Sequence, residues 1–371
     1  MKFPVLEFSA LALKDLLRIQ PSPASPQEHQ EAALEWLKRA HRQCGDDGVS
    51  YGYSLRGGWL PSYRETSGYI ATTFFNLAQL RNDDDDKQRA LSICRWLMSV
   101  QNADGSFANP KYGSEGIVFD TGQDLFGLVR AYEVTQEQAF LDAANRAGDW
   151  LVAVADEKGH WTRNEHFGVP HAYNSRSAWA LLRLHSNSRN PKHHAIAKAN
   201  LDWAVSEQKA SGFFDNCSFK PGVDPYTHTI AYATRGLLES ASITQDPTWL
   251  AAAVRCADSA IAHVRDDGFL PGQISVDGMR GAGYCCVTGN CQFAIAWIKL
   301  YASTSERRYK DAATKALDFV MRHHDVHTGN PNVRGAVKGS QPIWGRYAPM
   351  SYPNWATKFF IDAMLLREQF L

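Results

Sequence analysis

The chain has 371 residues, with 39 Lys and Arg against 39 Asp and Glu, and is 44% hydrophobic and 12% aromatic. This balance excludes the overall electrostatic attraction that nucleic acid or an anionic membrane surface would exploit, so recognition of a charged ligand has to be built locally. No run approaches the roughly 20 apolar residues of a membrane span, and the scattered cysteines (Cys44, Cys94, Cys217, Cys256, Cys285, Cys286, Cys291) read as reduced thiols, not a disulfide framework.

In chain order, residues 1–20 read as a short lead-in helix broken by Lys14, Asp15 and Arg18, without a cleavage-like site, and residues 21–26 as a Pro/Ser linker. The expectation is a cytoplasmic chain in which residues 1–26 pack on or cap a single domain spanning 27–371. From there, amphipathic segments recur near 27–43, 84–101, 137–156, 191–208, 246–264 and 306–324. In the second of these, Ala90, Ile93, Cys94 and Leu97 form one apolar stripe. Between them lie six segments, starting near Thr66, Asp120, Asn174, Thr227, Thr288 and Ser351, that are apolar almost all round and therefore buried on every side. Those six residues are N-cap types and are expected to cap the buried helices.

The starts recur at intervals of 54, 54, 53, 61 and 63 residues, a helical-hairpin period. Six buried and six amphipathic helices in alternation predict an all-α fold, an (α/α)6 barrel with inner helices around an axis and outer helices covering them. Inner-to-outer connections are a few residues long. The return connections are long and rich in Gly, Pro and aromatics, and all gather where the inner helices begin. Long loops in a compact domain carry function, so the site is expected at the inner-helix N-terminal face.

Six helix N-termini around one cavity favour an anionic group there. Among the polar residues at that rim, His228, Tyr226 and Tyr232 are candidate proton-transfer groups, while Gln123, Asn174 and Arg176 could neutralise the carboxylate of a uronate sugar and so acidify its neighbouring ring proton. That reading is a lyase or epimerase acting on a uronate-containing oligo- or polysaccharide. His228 in particular is expected to be kept neutral by the positive end of its helix. Glu65 and Asp120 instead offer the two carboxyls of a glycoside hydrolase. Trp59, Tyr63, Tyr69, Tyr173, Asn290, Lys338, Trp344, Tyr352 and Asn354 complete the expected substrate-binding set, aromatics stacking on sugar rings and polar groups reading hydroxyls. A glycan-binding scaffold without catalysis is the non-enzymatic alternative; the ionisable rim favours an enzyme.

Outer-helix endings share a signature: Trp36 and Gly45, Trp96 and Gly105, Trp150 and Gly159, and Trp203 and Gly212 are each nine apart. Trp96-Leu97 followed by Gln101-Asn102-Ala103-Asp104-Gly105-Ser106-Phe107 resembles the repeated Gln-Trp motif of squalene-type terpene cyclases and their protein-prenyltransferase relatives. The resemblance implies the toroid that these families share with glycoside hydrolases, sugar epimerases and polysaccharide lyases, and leaves the reaction open. A terpene-cyclase or prenyltransferase-like enzyme is thus a further alternative. Asp83 to Asp86 look like a cyclase acid motif but open an outer helix at the far end, where acids favour a helix N-terminus. The stretch from Asp224 to Thr229 is similar to the one carrying the prenyltransferase zinc histidine. Its ligand order departs from that pattern, and adjacent Cys285 and Cys286 diverge on a helix, so no metal or other cofactor is expected.

Overall fold

The computed structural model describes residues 12–371. The first part of the expected lead-in, residues 1–11, lies outside the described residues. Twelve helices of three turns or more dominate the rest. The outer ring is α1 (Pro26–Arg42), α3 (Asp84–Val100), α5 (Gln138–Val154), α7 (Pro191–Ser206), α9 (Pro247–Ile261) and α11 (Arg307–Arg322). The inner ring is α2 (Arg64–Arg81), α4 (Val118–Thr135), α6 (Ser175–Ser188), α8 (Thr227–Thr244), α10 (Val287–Thr304) and α12 (Asn354–Phe370). Each inner helix packs on the next and α12 returns to α2, which closes the barrel. Each outer helix covers the inner helix before it, with α1 on α12. The fold is the (α/α)6 toroid that the repeat predicts.

The helices arise from the local signals of the sequence. Ser25 caps α1 in a capping box with Glu28, and Asp83, Asn190 and Asp246 cap α3, α7 and α9 through their side chains. The acidic run at 83–86 is therefore the cap and first turn of an outer helix, at the far end from the mouth. Inner helices end in left-handed residues (Asn82, Gln136, Arg189, Gln245, Ser305) that turn the chain into the next outer helix within two residues.

The inner N-termini depart from expectation. None of the six has a side-chain cap. Extended backbone enters four of the helices earlier than the cap pattern indicates, through Tyr63, Ile117, Tyr226 and Cys286. This leaves Thr66, Asp120, Thr227 and Thr288 buried inside first turns. Asn174 sits at the cap position without capping, and Ser351 belongs to a strand before Pro353. Instead, Ser67, Thr121 and Thr357, each the fourth residue of its helix, accept the backbone N–H of Val49, Phe107 and Val337, tying the long loops to the inner ring.

Turn glycines set the spacing of the outer ring. Gly105, Gly159, Gly212 and Gly268 all have positive φ, and a Cβ at each would collide with α5, α7, α9 and α11 respectively. Gly335 does the same against Ala32 of α1. The Gln-Trp-like segments serve this junction: Gln101 Nε2 donates to the carbonyls of Gly105 and Ala143, and Gln208 Nε2 to those of Gly212 and Ala252. Short strands at the mouth join the two ends of the domain. β1 (Gly52–Ser54) pairs antiparallel with β2 (Gly58–Trp59) and with β5 (Ser351–Pro353), Tyr53 opposite Tyr352; β3 (Cys285–Cys286) pairs with β4 (Ser340–Gln341).

Candidate active site

The loops between outer and inner helices gather at one end and enclose an axial cavity of about 350 Å³. Its wall is mainly aromatic: Tyr51, Tyr63, Tyr173, Tyr226, Tyr347 and Trp355 with Phe119 and Phe219, and Tyr232 toward the floor. Glu65, His166, His228 and Arg346 are its charged or titratable residues apart from the tyrosines. Exposed Tyr112 and Phe167 stand at the opening. Such a lining matches the C–H faces of a pyranose, with few polar groups left to fix orientation.

Topology opposes the two strongest acid–base groups. Glu65 and His228 are each the second residue of an inner helix, α2 and α8. In a ring of six these helices are separated by two others on either side, so the carboxyl and the imidazole stand on opposite walls.

Burial lifts the Glu65 carboxyl to about 7, against the opposing effects of a short hydrogen bond from the Tyr63 hydroxyl and the charge of Arg176. Asp120 and Asp124, one turn apart on α4, are buried and held well above the usual carboxylate range, first by desolvation and then by Glu65. Burial raises Glu165, beside His171, to about 8. These three carboxyls stay protonated near neutrality while Glu65 is poised to lose its proton.

His228 is held well below its ordinary value, first by burial and then by the Arg176 charge, so the expected neutral ring is obtained through desolvation. Gln292 Nε2 lies 2.6 Å from His228 Nδ1. With that amide donating, the neutral ring carries its proton on Nε2. The Tyr173 hydroxyl is buried without a partner. Tyr232 and Tyr69 meet across the floor.

Of the residues expected at the site, His228, Tyr226, Tyr232, Glu65, Tyr63 and Tyr173 come together in the cavity. Asp120 lies behind Glu65 without lining it, and Asn174 lies against Glu165. Gln123 accepts from Arg176 Nε, 2.5 Å away. Arg176 and Tyr69 face a different cavity on the same axis, so they are separated from the mouth by the floor. The remaining residues fasten loops. Trp59 stacks on Trp36 and donates to Asn332, Asn290 bonds the carbonyls of Gly268 and Ala316, and Asn354 bonds Ser50 and Thr66. Tyr352 is buried in β5. Lys338 pairs with Asp15 at 2.6 Å, docking the segment after residue 12 onto the 338–343 loop. Trp344 is exposed outside the cavity. Tyr51, Phe119, His166, Phe219 and Arg346 were not anticipated. They come from loops and a first turn in which no periodicity marks the inward side.

Among the described residues, no three His, Cys, Asp or Glu side chains converge as metal ligands, all seven cysteines are free, and no helix is long and apolar enough to cross a membrane.

Comparison with known proteins agrees with the architecture. Residues 61–237 match the profile of the squalene-hopene cyclase C-terminal domain. No curated protein matches the chain. Similar solved structures include the unsaturated glucuronyl hydrolase of Bacillus sp. GL1, responsible for the degradation of glycosaminoglycan, at 13% identity and TM-score 0.72, covering 93% of this chain and 97% of that one. Cellobiose 2-epimerase from Bacillus thermoamylovorans B4167 gives 13% and 0.73, with 91% and 98% coverage. An unsaturated glucuronyl hydrolase specific for heparin gives 15% and 0.74, with 93% and 97%. The chain thus has the α/α toroid of cyclase-type proteins and of glycan-active (α/α)6 enzymes, without assignment to one family.

Proposed function

We propose that this protein is an enzyme that moves a proton on the ring of a uronate-containing oligo- or polysaccharide, with epimerisation favoured over elimination. The observation that carries this reading is the opposition of Glu65 and His228 across an aromatic cavity. Epimerisation needs a proton taken from one face of a carbon and returned to the other, and groups on opposite walls suit it. Glu65, with a proton affinity close to neutrality, is the better base. His228, presenting Nε2–H, hydrogen-bonds and so polarises the sugar's carboxylate, while the Tyr232 hydroxyl gives a proton to the opposite face of the carbanion. The phenolate then regains a proton from water and Glu65 releases the one it took, which restores both groups. This reverses the base role that the sequence suggests for His228. Exposed Arg346 at the rim is the cation placed to meet the carboxylate.

Glycoside hydrolysis is supported less well, because it needs a protonated carboxyl and an ionised one both facing the sugar, and Asp120 lies behind the wall, which leaves Glu65 as the one carboxyl lining the cavity among the described residues. The structural likeness to glucuronyl hydrolases and a sugar epimerase is consistent with either chemistry on a glycan.

Incubation with a panel of uronate-containing and neutral oligosaccharides in D2O tests the proposal. Deuterium should enter the carbon beside the carboxylate with inversion and no chain cleavage. An unsaturated product would make the enzyme a lyase. New reducing ends without exchange would make it a hydrolase, and binding without any reaction would favour a scaffold.

A further inference from the structure

A second cavity, of about 500 Å³, lies on the axis beyond the floor, toward the C-terminal ends of the inner helices. Six cations face it from five of the six inner helices: Arg130 on α4, Arg176 and Arg183 on α6, Arg235 on α8, Lys299 on α10 and Lys358 on α12. Three acids are interleaved with them. Glu133 takes Arg130 at 3.3 Å and Arg183 at 2.6 Å, and Glu239 takes Arg235 at 2.9 Å and Lys299 at 3.1 Å. Asp362 takes Lys358 and the Thr73 hydroxyl. Six cations against three acids leave three positive charges in excess.

The carboxylates are fully engaged, but the donors are not. Arg176 Nη1, Arg235 Nε and Arg130 Nε are buried without a partner. Arg176 is 2% exposed and its guanidinium lies over the rings of Tyr69, Phe126, Trp179, Tyr232 and Phe359. A buried guanidinium with an idle N–H is costly unless something accepts from it. Cations that merely complement helix C-termini would explain Arg130, Arg183 and Lys299, which lie in the last two turns of their helices. That role does not reach Arg176 and Lys358, in the first two turns of α6 and α12.

We propose that this axial cavity is a binding site for a phosphate-class oxyanion, either inorganic phosphate or a phosphate monoester. Donors that encircle an axis suit a compact tetrahedral ion with oxygens on all sides, whereas a carboxylate offers two oxygens in one plane. The site is coupled to the mouth by contact. The Arg176 guanidinium lies 4.8 Å from the ring centroid of Tyr232, which lines the other cavity, and its charge also acts on His228 and Glu65. An anion on Arg176 withdraws that charge from the floor. This coupling rests on the proposed function; the binding itself does not.

Phosphate is titrated into the full chain at constant ionic strength, by calorimetry and by 31P NMR, with chloride as the control and glucose 1-phosphate and citrate as further arms. One saturable site is expected, with Kd below about 1 mM. Glucose 1-phosphate binding more tightly than phosphate would identify the ester as the ligand, and the reverse order the free ion. Lys299→Gln and Arg183→Gln should each weaken binding by roughly tenfold, because each removes one charged donor while leaving the neighbouring acid a partner. Lys198→Gln, which removes an exposed cation from the outer helix α7, should leave Kd unchanged. Absence of saturation, equal affinity in the variants, or citrate binding more tightly than phosphate would overturn the proposal. Should a variant fail to fold, the wild-type chain decides: phosphate must raise Tm above the chloride control, and an equal Tm refutes the site. Phosphate binding with no glycan reaction would sink the proposed function and leave this site standing.

Discussion

Glu65 illustrates how one side chain is prepared by several others. A lone buried carboxyl would be pushed far up and become useless as a base near neutrality, as Asp120 and Asp124 are. The Tyr63 hydrogen bond and the Arg176 charge pull Glu65 back to about 7. On the proposed reaction kcat/KM should therefore rise with pH through about 7 and level off as Glu65 ionises, with no acid-side transition from His228, which is already neutral. Glu65→Gln should cost about 10² or more in turnover and abolish that rise, leaving folding intact. His228→Gln should lower turnover while keeping the pH rise. A rise that persists in Glu65→Gln would assign it to another group and remove Glu65 as the base. The sequence made Glu65, His228 and the tyrosines legible because they sit at or near the starts of apolar helices, where a polar residue stands out. It could not separate the two sides of the floor: Arg176 comes three residues after Tyr173 and Tyr69 one turn after Glu65 on α2, yet that single step places them in the opposite cavity.

At the scale of elements, the outer ring is assembled by a repeated contact rather than by outer-helix packing alone. Four of the six long connections begin with a turn whose glycine presses on the next outer helix, whereas Gly45 of the first has open space around it, and at two junctions a glutamine bonds both the turn and that helix. The nine-residue spacing from Trp to Gly was visible in the sequence for four units. The fifth was hidden because α9 carries no tryptophan at the matching position, although Gly268 is there with φ 80°. Gly268→Ala combines a strained left-handed backbone with a collision against the Lys315 carbonyl of α11. It should destabilise the protein by about 2 to 4 kcal/mol. Gly57→Ala, in a turn with open space around it, serves as the control and should fall within about 0.5 kcal/mol of wild type by denaturant unfolding. Equal stability of the two variants would show that the turn does not fix the junction.

At the scale of the whole molecule the central question is closure. Helical-hairpin repeats also build open arrays, in which each unit touches only its neighbours and removal of the last unit lowers stability by one interface. Here α12 packs on α10, α2 and α1, and β5 pairs with β1 near the other end of the domain. Residues 351–371 therefore touch both ends of the repeat series. Their removal exposes the apolar inner faces of α2 and α10 together, along with the face of α1 that covers α12, and it opens both axial cavities to water. A closed ring predicts that the truncated chain loses its cooperative thermal transition and binds a hydrophobic dye, with much of its helix content retained as a loosely packed state. An open array predicts a sigmoidal transition that persists, shifted by only a few degrees. Calorimetry and near-ultraviolet circular dichroism on the truncated and full chains distinguish the two, and a surviving transition with fixed aromatic signals would show that closure by α12 is not what holds the toroid together.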